Sequence, residues 1–279
     1  MQVPQKVAQR LQTSLKRFQP IVSSAKARDV NESDTVMIVT DMLSELLGWD
    51  KYSEVTSEHA IRGTYCDLAL SIDGALQAIL EVKSVGTSFR ESHLRQAVDY
   101  AANQGLDWVI LTNAAEWRVY QVQFAKPIGF SEVTALDIPD MNPREVAHIE
   151  QLYLLTREGF AKSALSEYRT HHLATSRYLI AAALLEEPVL QCLRRELRRS
   201  NPDVRVDVDE IREKLLQGVL KRDVVEGEDA EAAFRALAKS RKQALRASRS
   251  RADECCEVDA GEATEKTKDE ATDEAEAVE

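Results

Sequence analysis

The sequence has no long hydrophobic run. No apolar stretch approaches the roughly 18–20 residues that cross a bilayer as a helix, so a membrane-spanning helix is not expected. Cysteine is scarce: four residues, with Cys66 in a strand-like run, Cys192 in a helical one and Cys255-Cys256 in a polar segment. None shows metal-ligand spacing or a disulfide framework, and no leader-like segment opens the chain, so a cytoplasmic location is expected. The phosphate-loop pattern G-x-x-x-x-G-K-[ST] is absent, so ATP hydrolysis by this chain is not expected.

A positive balance is also missing. The net charge is −11 over 279 residues, which would exclude nucleic acid as a partner if it were evenly spread. Residues 253–279 hold twelve acidic residues and two lysines, a net −10, and the other 252 residues carry −1. That segment has almost no large apolar side chain, so a disordered acidic tail is expected there. Hydrophobic content of 44% is enough for a real core.

What is present centres on Ile61–Lys83, IRGTYCDLALSIDGALQAILEVK. Both halves alternate with period two, the mark of half-buried strands. Asp73-Gly74 between them is turn chemistry, because both residues tolerate positive φ. A two-residue loop with Ile72 opposite Ala75 would set Asp67 against Leu80 and send Glu81 to the other face. A three-residue loop, Asp73-Gly74-Ala75, pairs Ile72 with Leu76, Leu70 with Ala78 and Leu68 with Leu80. It leaves Asp67 opposite Glu81, and that register is expected. Two adjacent carboxylates repel unless a cation sits between them or one takes a proton. Their oxygens suit Mg²⁺, and Lys83 on the same face could steady charge on a phosphate. A solvated strand face carrying an ion pair would show the same three residues.

Upstream, residues 1–30 predict a basic helix broken at Pro20, with Val7, Leu11, Leu15 and Phe18 at helical spacing and a solvated cationic face. Asn31 is a good N-cap for a helix to about Leu47, closed by Gly48, with Glu32 in its first turn. Downstream, Thr87 or Ser88 is expected to cap a helix to about Gln104. Gln96 and Tyr100 there are i and i+4, a stripe that an ordinary amphipathic rim would also show. Asp107–Thr112 and Trp117–Gln123 predict strands, and Ile128–Ile138 an edge strand or extended arm. From Pro143 to about Leu245 the pattern is helical. His171-His172 are adjacent and make a poor metal pair. Cys192–Ser200 (CLRRELRRS) and Arg235–Arg251 are strongly basic, suited to phosphate or to the acidic tail. The domain reading is therefore a basic helix (1–30), an α/β domain (31–140), a helical extension (141–252) and the tail (253–279).

Taken together, Glu32 opening a helix that ends LLGW, Arg62 and Asp67, Glu81-Val82-Lys83, Gln96-x-x-x-Tyr100 and VILTNAAEWRVY resemble the PD-(D/E)xK nuclease superfamily. More narrowly, they resemble the N-terminal nuclease domain of the R subunit of type I restriction enzymes. The resemblance covers about residues 28–125, and Ala114 stands where that family has glycine. It implies a mixed four- to five-stranded restriction-endonuclease-like sheet flanked by helices. It implies a Mg²⁺-dependent DNA endonuclease, with Mn²⁺ able to substitute. Asp67, Glu81 and the Val82 carbonyl would hold the metal, Lys83 would be the catalytic lysine, and Glu32 would help hold the metal through water, with Glu45 as second candidate. Gln96, Tyr100 and Arg62 would support the site and contact DNA. Other subunits of a restriction or defence system are possible partners. The alternative is a catalytically silent DNA-binding or assembly module on the same fold.

Overall fold

The computed structural model of the chain describes residues 2–61 and 64–243, with the side chains of 58–61 and 64–65 excepted. Arg62, the end of the basic 235–251 segment and the acidic tail lie outside the described residues. The chain divides into two units, Met1–Thr170 and His171–Glu279.

The first unit is α+β and begins with α1 (Gln5–Ala27), which runs through Pro20 instead of ending there. An interior proline costs about 3 kcal/mol. Against that, Val7, Leu11, Leu15, Phe18 and Val22 are all buried, each contributing about 1.5–3 kcal/mol, and Pro20 itself faces solvent. Burial wins, and the helix joins the main core instead of standing apart. Arg10 is not on the solvated face: its guanidinium makes two 2.8 Å bonds to Glu158 and donates to the Leu46 and Leu47 carbonyls.

α2 (Glu32–Asp41) starts as expected, with the Asn31 side chain accepting from the Asp34 amide at 2.9 Å. A π-helical turn, Met42–Leu46, continues it. Gly48 then takes φ +81°, and a Cβ there would meet the Arg10 guanidinium at 2.6 Å. Only glycine fits that stop.

The sheet has six strands in the order β1 (Val55–Ile61), β2 (Thr64–Ile72), β3 (Ala75–Val82), β4 (Trp108–Thr112), β5 (Glu116–Gln123) and β6 (Gly129–Asp137). That is more than the four or five expected. The extra strand is β1: its sequence, VTSEHAI, reads as a polar approach to the hairpin, but it pairs along β2 through backbone bonds. β6 settles the other ambiguity, pairing antiparallel with β5 as the far edge. All neighbours are antiparallel except β3 and β4, which are parallel. A parallel pair needs a crossover, and α3 (Glu91–Gln104) supplies it.

The hairpin turn differs from expectation. Asp73 and Gly74 take φ +51° and +79°, and Ile72 pairs with Ala75 across a two-residue turn. Ser71 pairs with Leu76, and then Gln77 has no partner. This bulge resets the ladder, so that Leu70 pairs with Ala78 and Leu68 with Leu80. The register beyond the bulge is the one apolar matching selects.

One face of the sheet, including Leu68, Leu80, Ile110 and Val119, packs on α1, α2 and α4 (Val146–Tyr153). The other face, with Ala69, Ile79, Val109 and Leu111, packs on Leu94, Ala97, Val98 and Ala101 of α3. Cys66 sits with this second group and not with Leu68, as strict alternation would place it. Short helices α5 (Arg157–Ala161) and α6 (Ala164–Ala174) complete the run.

The second unit is helical in its described part, with α7 (Arg177–Leu184), α8 (Glu187–Ser200), α9 (Val208–Lys214) and α10 (Arg222–Val225). A small core of Leu190, Val208 and Ile211 joins α8 to α9. Among the described residues, no helix is long and apolar enough to cross a membrane.

Candidate active site

β3 and β4 are the parallel pair, and open sheets place their sites beyond the carboxyl ends of such strands. Glu81 and Lys83 lie at that end of β3. The β2–β3 pairing ends at Leu68–Leu80, and the next residue along each strand, Asp67 and Glu81, lies within 4.0 Å of the Lys83 ammonium. The Val82 amide donates to Asp67 Oδ2 at 2.6 Å. Lys83 Nζ lies 2.7 Å from Glu81 Oε1, 4.0 Å from Asp67 Oδ2 and 3.5 Å from Glu32 Oε1. Four of the residues singled out from sequence therefore meet at one point, brought from β2, β3 and the first turn of α2.

The electrostatics follow from partial burial. Glu81 is only 7% exposed. Burial pushes its carboxyl above the ordinary range; the Lys83 hydrogen bond opposes this, and the Asp67 and Glu32 charges add to it. Asp67 is also raised, first by burial, against the Val82 amide and the Lys83 charge. For Lys83 burial works downward, but its bond to Glu81 and the three nearby carboxylates outweigh it and hold the ammonium above its usual value. Three carboxylates around one ammonium leave a formal deficit of two positive charges. That deficit suits a divalent cation, and carboxylate oxygens with a peptide carbonyl suit a hard one that keeps its own waters. Among the described residues, no group of three or more His, Cys, Asp or Glu side chains converges into a ready metal cage. The donor set fits Mg²⁺ or Mn²⁺ in chemical type; the Val82 contact seen here is made by its amide.

Among the described residues, none of the other candidates is bonded to Lys83. Glu45 pairs with Arg17 of α1. Tyr100 is buried on the core side of α3, hydrogen-bonded to Cys66. Burial and that contact push its hydroxyl up to about 12, and burial pushes the Cys66 thiol up to about 11. Gln96 is exposed, and among the described residues no hydrogen bond joins it to the carboxylates. Tyr100 instead reaches the neighbour of Asp67, and the Cys66 thiol that it bonds feels both the Asp67 and the Glu81 charge. Arg62 lies outside the described residues. His171 and His172 lie in the last turn of α6.

Residues without an assigned role hold the site's frame. The Lys83 amide donates to the Thr112 carbonyl at 2.8 Å, extending the β3–β4 ladder to Lys83. Asn113 accepts from the Ala115 and Glu116 amides and donates to the Thr87 carbonyl at 3.1 Å. It thus ties the loop after β4 to the loop after β3. Thr87 is consumed there, bonded to Ser84 at 2.6 Å. Neither Thr87 nor Ser88 caps α3, which instead starts from an extended Arg90 with no side-chain cap. Ala114 takes φ +67° in this turn, fully buried, at the position where the resembling family has glycine. No family model, no curated protein and no solved structure matches the chain.

Proposed function

We propose that the first unit is a metal-dependent DNA endonuclease of the PD-(D/E)xK type, resembling the nuclease domain of type I restriction R subunits but without a motor. One observation carries this reading: a bulge-set register puts Asp67 and Glu81 on one sheet face, with the Lys83 ammonium between them. A simple core hairpin has no use for a half-buried carboxylate pair, which is costly to desolvate.

In this reading Asp67, Glu81 and the Val82 carbonyl would hold Mg²⁺ or Mn²⁺. Such a cation, when bound, polarises a phosphodiester and lowers the pKa of an attacking water. The Val82 amide orients the Asp67 carboxylate. Glu32, half-exposed, accepts from Lys83 and is open to hydrogen-bond a metal's water shell. Lys83 steadies negative charge as it builds on the phosphoryl oxygens. Asn113 and Thr87 keep the two loops at the strand ends fixed, so the lysine meets the phosphate without rearrangement. The partners would be DNA and other subunits of a restriction or defence system, in the cytoplasm.

A second reading has its own support. Lys83 already lies 2.7 Å from Glu81, so that buried carboxylate is paired without a metal. A silent DNA-binding or assembly module would need nothing more. Plasmid and linear DNA incubated with the purified chain in Mg²⁺ or in EDTA separate the two. Mg²⁺-dependent nicking, lost in Asp67→Ala and Glu81→Ala, is the expected result. Calorimetry showing no Mg²⁺ binding, together with intact plasmid, would establish the module instead.

A further inference from the structure

Within the second unit, Gln191, Arg194, Arg195 and Arg198 of α8 are spaced i, i+3, i+4 and i+7, so they lie on one stripe of the helix. They line an open depression of about 600 Å³ with Pro188 and Cys192. Three other arginines of this unit are neutralised: Arg199 by Glu196, Arg212 by Glu187 and Asp209, Arg241 by Glu186. Among the described residues, Arg194, Arg195 and Arg198 have no carboxylate partner. The nearby acids are already engaged, and Glu187 also accepts from Gln191 at 2.7 Å. Three cations held within about 6 Å of helix axis repel one another without stabilising the core, which α8 joins through Leu190 on the adjoining face.

We propose that this stripe binds the phosphate backbone of nucleic acid. Guanidinium forks match phosphate oxygens in pairs. Phosphates recur about every 3.4 Å along each strand of duplex DNA, so the stripe spans about two of them. Four of the six lining residues are polar or cationic, and no aromatic or large aliphatic side chain lines the depression to anchor a folded protein. The contact is sequence-independent, since it offers nothing to base edges. The proposal goes beyond the nuclease reading and does not rest on it, because a chain that binds DNA without cutting it satisfies it.

The test is fluorescence anisotropy of the full chain with a short labelled duplex, in EDTA, between about 50 and 200 mM salt. Replacing Arg194, Arg195 and Arg198 together by glutamine should flatten the slope of log affinity against log salt by about 2–3. It should weaken binding at least tenfold at the low-salt end. Replacing all three by lysine keeps the charge and should leave the slope close to wild type. The single exposed change Arg198→Gln, which leaves the helix core untouched, should flatten the slope by about one. Unchanged slopes in the glutamine variants overturn the proposal. So does a lysine variant as impaired as the glutamine one, since that marks a structural role. Loss of polyglutamate binding with an unchanged DNA slope would reassign the stripe to acidic peptides and also overturn it. Lys83→Ala, assayed in parallel for Mg²⁺-dependent nicking, reports on the nuclease reading alone.

Discussion

Lys83 touches three carboxylates, and what it does there separates it from them. Removing Asp67 or Glu81 takes away a metal donor, so metal affinity and cleavage should fall together. Lys83→Ala makes the site more negative, so Mg²⁺ affinity measured by calorimetry should hold or rise. Plasmid nicking should still drop by about 10²–10³, the usual loss for one preorganised charge-stabilising group. A Lys83→Ala chain that nicks at the wild-type rate would leave Lys83 only an ion-pair partner. The carboxylates also carry a stability signature. Asp67 and Glu81 bind protons more tightly folded than unfolded. In metal-free buffer, the contribution of these two groups to stability should therefore be greatest below the ordinary carboxyl range and be lost as pH rises through it and through the raised folded values. Lys83 works at the other end: its raised value contributes stability below about 10.5 that is lost as pH climbs through the folded value. Asp67→Asn removes one of the crowded charges and keeps an oxygen for the Val82 amide. It should raise Tm by a few degrees, at about 2–4 °C per kcal/mol, while abolishing cleavage. A lower Tm for Asp67→Asn in EDTA would contradict this electrostatic account. These residue types were legible because carboxylates and a lysine at period-two spacing stand out in an apolar strand. Asn113 and Thr87 were not, because a side chain that fixes loops reads like any other turn residue.

At the scale of the element, the site depends on one residue of β3 staying out of the ladder. Asp73-Gly74 strongly favours a two-residue turn, since both residues accept positive φ, and that turn alone would split the carboxylates between faces. Gln77 corrects the parity. It has no ladder partner on β2, and the β3–β4 pairing begins only at Ala78. Deleting Gln77 should therefore keep Asp67 opposite Glu81, with Leu68 still opposite Leu80. Mg²⁺ affinity and nicking should survive within a few-fold, and Tm should move only modestly. If the deletion abolishes Mg²⁺ binding while the chain stays folded, register is not what positions the carboxylates. Apolar matching disclosed the register in the sequence, but the device behind it was hidden, because loop length and bulge trade off against each other. β1 was hidden for a related reason: an edge strand is specified by backbone pairing, and VTSEHAI has little apolar alternation to betray it. α1 shows the opposite imbalance, where a visible proline mattered less than five buried side chains. Removing residues 1–30 takes away five large buried side chains at about 1.5–3 kcal/mol each, a loss comparable with the whole roughly 5–15 kcal/mol of a typical domain. The truncated chain should show no cooperative melt by circular dichroism; a wild-type-like transition would mean that α1 is an appendage.

For the whole molecule, charge is partitioned more sharply than mass. The α+β unit carries the carboxylate cluster, the helical unit carries the unpaired arginines of α8, and residues 253–279 carry a net −10. The helical extension was legible as helix and as a region of its own, but residues 141–170 fall within the first unit, since periodicity reports an element's face and not which core it joins. The acidic segment dominates the net charge of −11, so it sets how the chain meets a polyanion from a distance. A chain lacking 253–279 would carry about −1 by the same count. Its folded units should be unchanged, because the removed segment has too little apolar surface to contribute to a core. Its affinity for duplex DNA should rise on the order of tenfold at low salt, where the Debye length reaches about 30 Å at 0.01 M. Near 1 M that length is about 3 Å, the repulsion is screened, and the two chains should bind alike. The arginine stripe and the tail then act on different parts of one titration. The stripe sets the number of phosphates contacted and hence the slope, and the tail sets a long-range repulsion that salt removes. Binding curves for full-length and shortened chains across salt decide it. An affinity gain that persists undiminished at high salt would mean that the tail blocks DNA by direct occupancy and not through its field.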